Sequence, residues 1–391
     1  MPIIKSIRYR KILNSHVQFT NEFILSCSDG ATGIGTSSQG ETISIYEDHE
    51  FIVSPLDIVS RIEASGLIGR AVTQLEFDQY LLDHAVRFGR NNSYALSEAF
   101  FNACRVNRSI FDLLGRPPAR MVMPRLCLNV LNGGRHAYTN PVLSDYCEYI
   151  LVARDNDVSE TIGAHNEIQQ MVSERLSRQP KTVVNNHPVS RFVTPDNREC
   201  VEFLLDVCQK LGYADAFDLW IDASAGDLWT DNSYHLKLTS NERYTCDQFK
   251  AYWFDLIRQY DLRFIEDPFH EKDFDSWRDL TASEHHSLVI GDNLYSSNPV
   301  RIQEGSQRQL AHGVLVKPNQ AGTVSEVCRA IDTAQRCGHE VITSHRSIST
   351  ESTFVSLLTC ACGVKYIKIG PLVSDYSSVV RLNEIIRLTG A

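Results

Sequence analysis

Leu288-Val-Ile-Gly-Asp292 and, further along, Val314-Leu-Val-Lys317 are apolar runs, each closed by a single charge. A run of this kind reads as a strand buried on both faces that delivers its charge to the edge of a sheet. The same pattern stands upstream in Asp218-Leu-Trp-Ile-Asp222 and Leu262-Arg-Phe-Ile-Glu266. The acids lie 44 residues (222 to 266) and 26 residues (266 to 292) apart, gaps that suit strand–helix–strand units. If successive parallel strands close into a barrel, their C-terminal ends share one face, and Asp222, Glu266, Asp292 and Lys317 converge there. Taken singly, such a run is a strand followed by a solvated carboxylate; four in succession at barrel spacing point to a site. Three carboxylates in one mouth repel each other unless a cation sits between them, and hard oxygen ligands suit magnesium. A lysine beside a divalent ion has its pKa lowered toward neutrality, which makes it a usable general base.

Outward from this stretch, strands are expected near 126–131, 147–153, 218–222, 262–266, 288–292, 313–317, 340–344 and 364–368, with helical segments between most of them. The set fits a closed α/β barrel. Gly115-Arg-Pro-Pro-Ala-Arg120 breaks the pattern ahead of it, which predicts a domain of residues 1–120 and a barrel domain of residues 121–391. In the first domain, Ile3 to Ile12 and Val17 to Ser28 read as strands of an antiparallel meander, and Ser28-Asp29-Gly30 turns into a third segment. Gly33 to Ser44, rich in Gly, Ser and Thr, reads as a surface loop or an active-site lid, and Pro55 to Leu114 as a few helices.

The net charge of −10 over 391 residues argues against nucleic acid as a partner. No apolar run reaches the ~18 residues of a membrane span, and Met1-Pro-Ile-Ile-Lys5 lacks a signal-peptide core, so a cytoplasmic protein with no membrane partner is expected. The eleven cysteines are then reduced core thiols; Cys360-Ala-Cys362 has no second pair at ligand spacing.

Three further stretches carry chemistry. Leu131-Asn-Gly-Gly-Arg-His136 supplies glycines for a tight turn that brings His136 over the mouth. Ser344-His-Arg-Ser347 follows a strand and offers a guanidinium and a hydroxyl, the donors a phosphate needs. Tyr366-Ile-Lys368 closes the last strand with a second lysine.

Together with Ile265-Glu-Asp-Pro-Phe269, Gly291-Asp-Asn-Leu294, Asn298-Pro299, Lys317-Pro-Asn-Gln-Ala-Gly-Thr323 and Ile367-Lys-Ile-Gly370, these segments resemble, in order, the signature segments of the enolase family. The resemblance covers nearly the whole chain, including Ile12-Leu-Asn-Ser15 and the loop before Ile45-Tyr-Glu47. It implies a C-terminal (β/α)8-type barrel with a small α+β N-terminal capping domain, a homodimer, two magnesium ions, and dehydration of a 2-phospho-3-hydroxy acid to an enol phosphate. Carried over by motif, Asp222, Glu266 and Asp292 hold one magnesium and Thr42 reaches the second. Lys317 is the base, Lys368 binds the substrate carboxylate, Arg346 and Ser347 bind the phosphate, His136 and His345 line the pocket, and Glu148 stands near the leaving hydroxyl.

The chain also departs from that pattern. Where the family carries an acidic, Gly-rich loop whose Glu protonates the departing hydroxyl, this chain reads Val184-Asn-Asn-His-Pro-Val-Ser-Arg-Phe-Val-Thr-Pro195. Counted from Val184 the acid position is His187; counted back from Phe192 it is Val189. The acid after Asp292 has become Asn293, the Gln before Glu148 is Cys147, and the Ser-Gly-Ala-Ser lid is Gln39-Gly-Glu-Thr42. Three readings follow: a lyase acting on a phosphorylated or phosphono-substituted analogue, as in natural-product pathways; an ordinary glycolytic enolase; or an enolase-like binding protein without catalysis.

Overall fold

The computed structural model describes residues 1–40, 43–47, 53–134, 138–283 and 285–391. The N-terminal meander forms as expected: β1 (Ile4–Leu13), β2 (Phe19–Cys27) and β3 (Thr32–Thr36) pair antiparallel in that order. One face packs Ile4, Ile7, Phe23 and Leu25 onto helices Pro55–Ala64, Gln74–Asp83 and Arg90–Cys104. The loop expected over Gly33 to Ser44 starts later than the composition suggests, because Gly33 and Gly35 lie within β3. A Cβ on Gly33 would meet Ala99 O at 2.1 Å and one on Gly35 would meet Ala95 O at 1.8 Å. These glycines serve close approach of a helix backbone to a strand.

The rest of the chain builds a closed barrel. β4 (Arg125–Asn132) and β5 (Glu148–Ala153) lead to a hairpin, β6 (Lys181–Val184) with β7 (His187–Ser190), and then to β8 (Phe217–Asp222). A small sheet of β9 (Trp229–Thr230), β10 (Ser233–His235) and β11 (Arg243–Tyr244) precedes β12 (Phe264–Glu266). β13 (Leu288–Gly291), β14 (Gly313–Val316), β15 (Glu340–Ser344) and β16 (Tyr366–Lys368) complete the set. The barrel order is β12-β13-β14-β15-β16-β4-β5-β8.

The expected succession of parallel strands fails at one place: β5 runs antiparallel to both β4 and β8. Among the described residues between β4 and β5 there is no helix, so the chain returns at the end where β4 stopped. Two helices, Val158–Ser177 and Arg198–Lys210, then carry it on to β8. Glu148 therefore begins β5 at the face where the other strands end, and its register partner is Asp222.

Alternation along the strands selects what reaches that face. Trp220, Phe264, Ile290, Leu315 and Tyr366 fill the barrel interior. Each stands two residues before a charged group, Asp222, Glu266, Asp292, Lys317 and Lys368 in turn. Their neighbours Ile221, Ile265, Val289, Val316 and Ile367 point outward into the core shared with the helices.

Candidate active site at the barrel mouth

The strand ends bring most of the expected residues together. Lys368 Nζ contacts Glu148 Oε2 at 2.7 Å, Asp222 Oδ2 at 2.9 Å and Glu266 Oε2 at 2.7 Å. Lys317 Nζ donates to Asp292 Oδ2, and Gln320 Nε2 donates to Asp292 Oδ1 at 3.3 Å. Asp292 is set in place by Asp267, which follows Glu266 and accepts from the amides of Asp292 at 3.0 Å and Asn293 at 2.7 Å. Ser224 orients Asp222 by donating to its Oδ1 from both backbone and hydroxyl. Asn129 Nδ2 donates to Glu148 Oε1 at 2.7 Å.

Charges this deep survive only in each other's company. Burial alone would disfavour charge on Lys368, but Asp222, Glu148 and Glu266 outweigh it and hold the ammonium pKa well above its usual value. Glu266, with no exposed surface, is pushed well above the carboxylate range, first by burial and then by Asp222, while Lys368 pulls it back. His345 is held well below the usual imidazole value by burial and by Arg381, Lys368 and Lys317, so it is neutral.

Among the described residues no three His, Cys, Asp or Glu groups stand so as to hold a metal ion. Lys368 takes the place of a counter-charge between Asp222 and Glu266. The chemistry of the donor set nevertheless fits magnesium: Asp222, Glu266 and Asp292 offer hard oxygens, and the buried Glu266 Oε1 has no partner among the described residues. Thr42 and His136 lie outside the described residues.

The phosphate candidates sit on the loop after β15. Arg346 pairs with Glu47 at 3.1 Å, and its Nε is buried without a partner among the described residues. A Cβ on Gly40 would collide with the guanidinium at 1.9 Å, so glycine there lets the Gln39–Gly40 segment lie over Arg346. Gln39 and Ile348 exchange backbone hydrogen bonds at 3.0 and 3.1 Å, which fastens that segment to the loop. Below it, Glu98 accepts from Thr36 N at 3.2 Å and from Ser352 Oγ. Burial raises this carboxyl to about 7.

About 20 Å³ remains among Glu148, Asp222, Lys317, Lys368 and the Ser344–Ser347 loop, so a three-carbon acid enters only if side chains move. Beside it opens a cavity of about 470 Å³, reached past Glu148, His345 and Ser347. His187 lines this outer chamber, apart from the lysines, with its ring 5.4 Å from that of Tyr138. Val189, the other residue considered for the acid position, is fully buried. The stretch from Val184 to Pro195 is thus partly a hairpin that turns His187 toward the chamber and Val189 into the core.

Sequence reasoning did not single out Glu47, Asp267, Gln320 or Asn129 as site residues. Asp267 and Gln320 are close in sequence to Glu266 and Lys317 and were legible as neighbours; Glu47 ends the Ile45-Tyr-Glu47 segment, but nothing local signals its pairing with Arg346.

The enolase C-terminal TIM barrel domain family matches residues 120–391. An enolase from Sulfolobus acidocaldarius is 26% identical over 386 residues, covering 94% of this chain and 91% of the relative. Family match, barrel topology and the acid-and-lysine mouth agree: the chain belongs to the enolase family and is a hydro-lyase of the enolase superfamily.

Proposed function

We propose that the chain removes the proton α to a carboxylate and eliminates water from a 2-phosphoglycerate-like acid, acting on a phosphorylated or phosphono-substituted analogue. The observation that carries this is the pairing of two lysines with unlike surroundings in one buried mouth. Lys368 is locked as an ammonium by three carboxylates, which suits it to meet the substrate carboxylate and unfits it as a base. Among the described residues Lys317 pairs with one acid, Asp292, which would hold the ammonium that forms when the amine takes the α-proton.

The electron pair left on the α-carbon passes into the carboxylate and returns to expel the oxygen on the next carbon. That oxygen leaves as water once it is protonated, and His187 supplies the proton from the chamber side, since Glu148 pairs with the Lys368 ammonium as a carboxylate. Arg346 and Ser347 bind the phosphate or phosphonate, with Arg346 exchanging Glu47 for the ligand. Held by Asp222, Glu266 and Asp292, magnesium would supply the positive charge that makes a proton beside an ionised carboxylate removable. Homodimer formation is carried over from the family.

The test is a panel of 2-phospho- and phosphono-substituted acids with magnesium in deuterated solvent, followed by α-proton exchange and enol absorbance. Faster turnover of a substituted acid than of 2-phosphoglycerate is expected. Preference for 2-phosphoglycerate would indicate ordinary enolase, and no exchange with any acid would leave a binding protein.

A further inference from the structure

The reaction at the lysine cluster leaves most of the adjoining chamber unused. At about 470 Å³ it falls in the range of sites for ligands larger than a three-carbon acid. Its wall holds two buried acceptors with no partner among the described residues, Asn129 Oδ1 and Asn132 Oδ1, on residues 1% and 4% exposed. The orientation of Asn129 is fixed, because its Nδ2 donates to Glu148 Oε1, which leaves the buried oxygen as the atom still to be paired. Unpaired buried acceptors call for a donor. The other polar lining groups are hydroxyls and an amide, among them Ser15, Gln18, Thr139 and Ser374, together with imidazoles and the carboxylates of Glu148 and Asp375, and no Lys or Arg lines the chamber among the described residues. Asp375 accepts from Ser377 at 2.8 and 2.6 Å and lies near Arg381, so it asks for no cation. Tyr138 adds an aromatic ring to the wall, 4.7 Å from the ring of His16 and 5.4 Å from that of His187.

We infer that the substrate's carbon chain continues past the carbon bearing the leaving hydroxyl into this chamber and carries uncharged hydroxyl groups that donate to Asn129 and Asn132. The substrate class is then a longer polyhydroxylated acid with the phosphoryl or phosphonyl group on carbon 2. This rests on the proposed reaction for which end of the acid faces the lysines.

The test is calorimetric binding, with magnesium, of 2-phosphoglycerate, a 2-phosphotetronate and a 2-phosphopentonate, each longer acid paired with its analogue lacking the chain hydroxyls beyond carbon 3. Affinity should rise at least tenfold from three to five carbons, and the deoxy analogues should lose that gain. Asn132→Leu should abolish it too; should that variant misfold, the deoxy comparison on the unchanged protein decides alone. Equal affinity along the series, or a gain that survives in the deoxy acids, overturns the inference. Monitoring α-proton exchange in the same samples separates the two claims. Hydroxyl-dependent tight binding without exchange overturns the lyase reading and keeps the chamber; exchange of 2-phosphoglycerate with no gain from length does the reverse.

Discussion

The inner cluster and the outer wall of the mouth are built by different means. Asp222, Glu266, Asp292, Lys317 and Lys368 stand at strand ends, each two residues beyond a side chain packed inside the barrel. Register fixes them, and moving one by a single residue would turn it into the helix-facing core. His187, Tyr138, Ser15 and Gln18 stand on a hairpin and turns, held by few contacts of that kind. A scaffold built this way can keep its inner cluster while the outer wall changes.

The comparison breaks most directly at Lys368. Replacing it with Met leaves Glu148, Asp222 and Glu266 buried together without their cation, and removal of one partner from a buried ion cluster costs about 3–5 kcal/mol. Urea titration in the presence of a chelator should show a loss of that size; a loss below about 1 kcal/mol would mean the cluster is not structural.

A buried acid away from both regions sharpens the point, since Glu98 lacks an adjacent lysine. Its carboxyl is raised from 4.5 to about 7, chiefly by burial. The folded state therefore holds the proton more tightly than the unfolded chain. The stability this contributes is complete below about 4.5 and lost as pH rises through about 7. A rise of that size is worth roughly 3 kcal/mol. Relative to the parent, Glu98→Gln should gain about that much between pH 4 and pH 8, and a difference independent of pH would contradict it.

Magnesium should also stabilise the folded chain, by about 2.7 kcal/mol at a hundred times its Kd. Glu266→Gln should abolish that increment in thermal melts. Undiminished magnesium dependence in the variant would remove Glu266 from the ligand set.

The inner cluster was legible in the sequence because apolar runs ending in charge mark strand and site at once. Arg346 and Ser347 were legible for the same reason, following the run Glu340-Val-Ile-Thr. The reversed β5 was not, since an apolar run looks alike in both directions and only the missing helix before it betrays the turn back. Gly33 and Gly35 misled because composition cannot distinguish a glycine that frees a loop from one that admits a helix. The partnership of Glu47 with Arg346 spans 299 residues of chain, beyond any local pattern. The side of the hairpin that carries His187 was left ambiguous by counting and depends on which residue the core accepts, here Val189.

In the proposed reaction the inner cluster takes the α-proton and the outer wall returns one to the leaving oxygen. It is tested most directly by following α-proton exchange and elimination together, in deuterated solvent, for Lys317→Ala and His187→Gln on the best substrate of the panel. Lys317→Ala should lose both processes by about 10²–10⁴-fold, while His187→Gln should keep exchange near the parent rate and lose elimination. Exchange at the parent rate in Lys317→Ala would contradict the account.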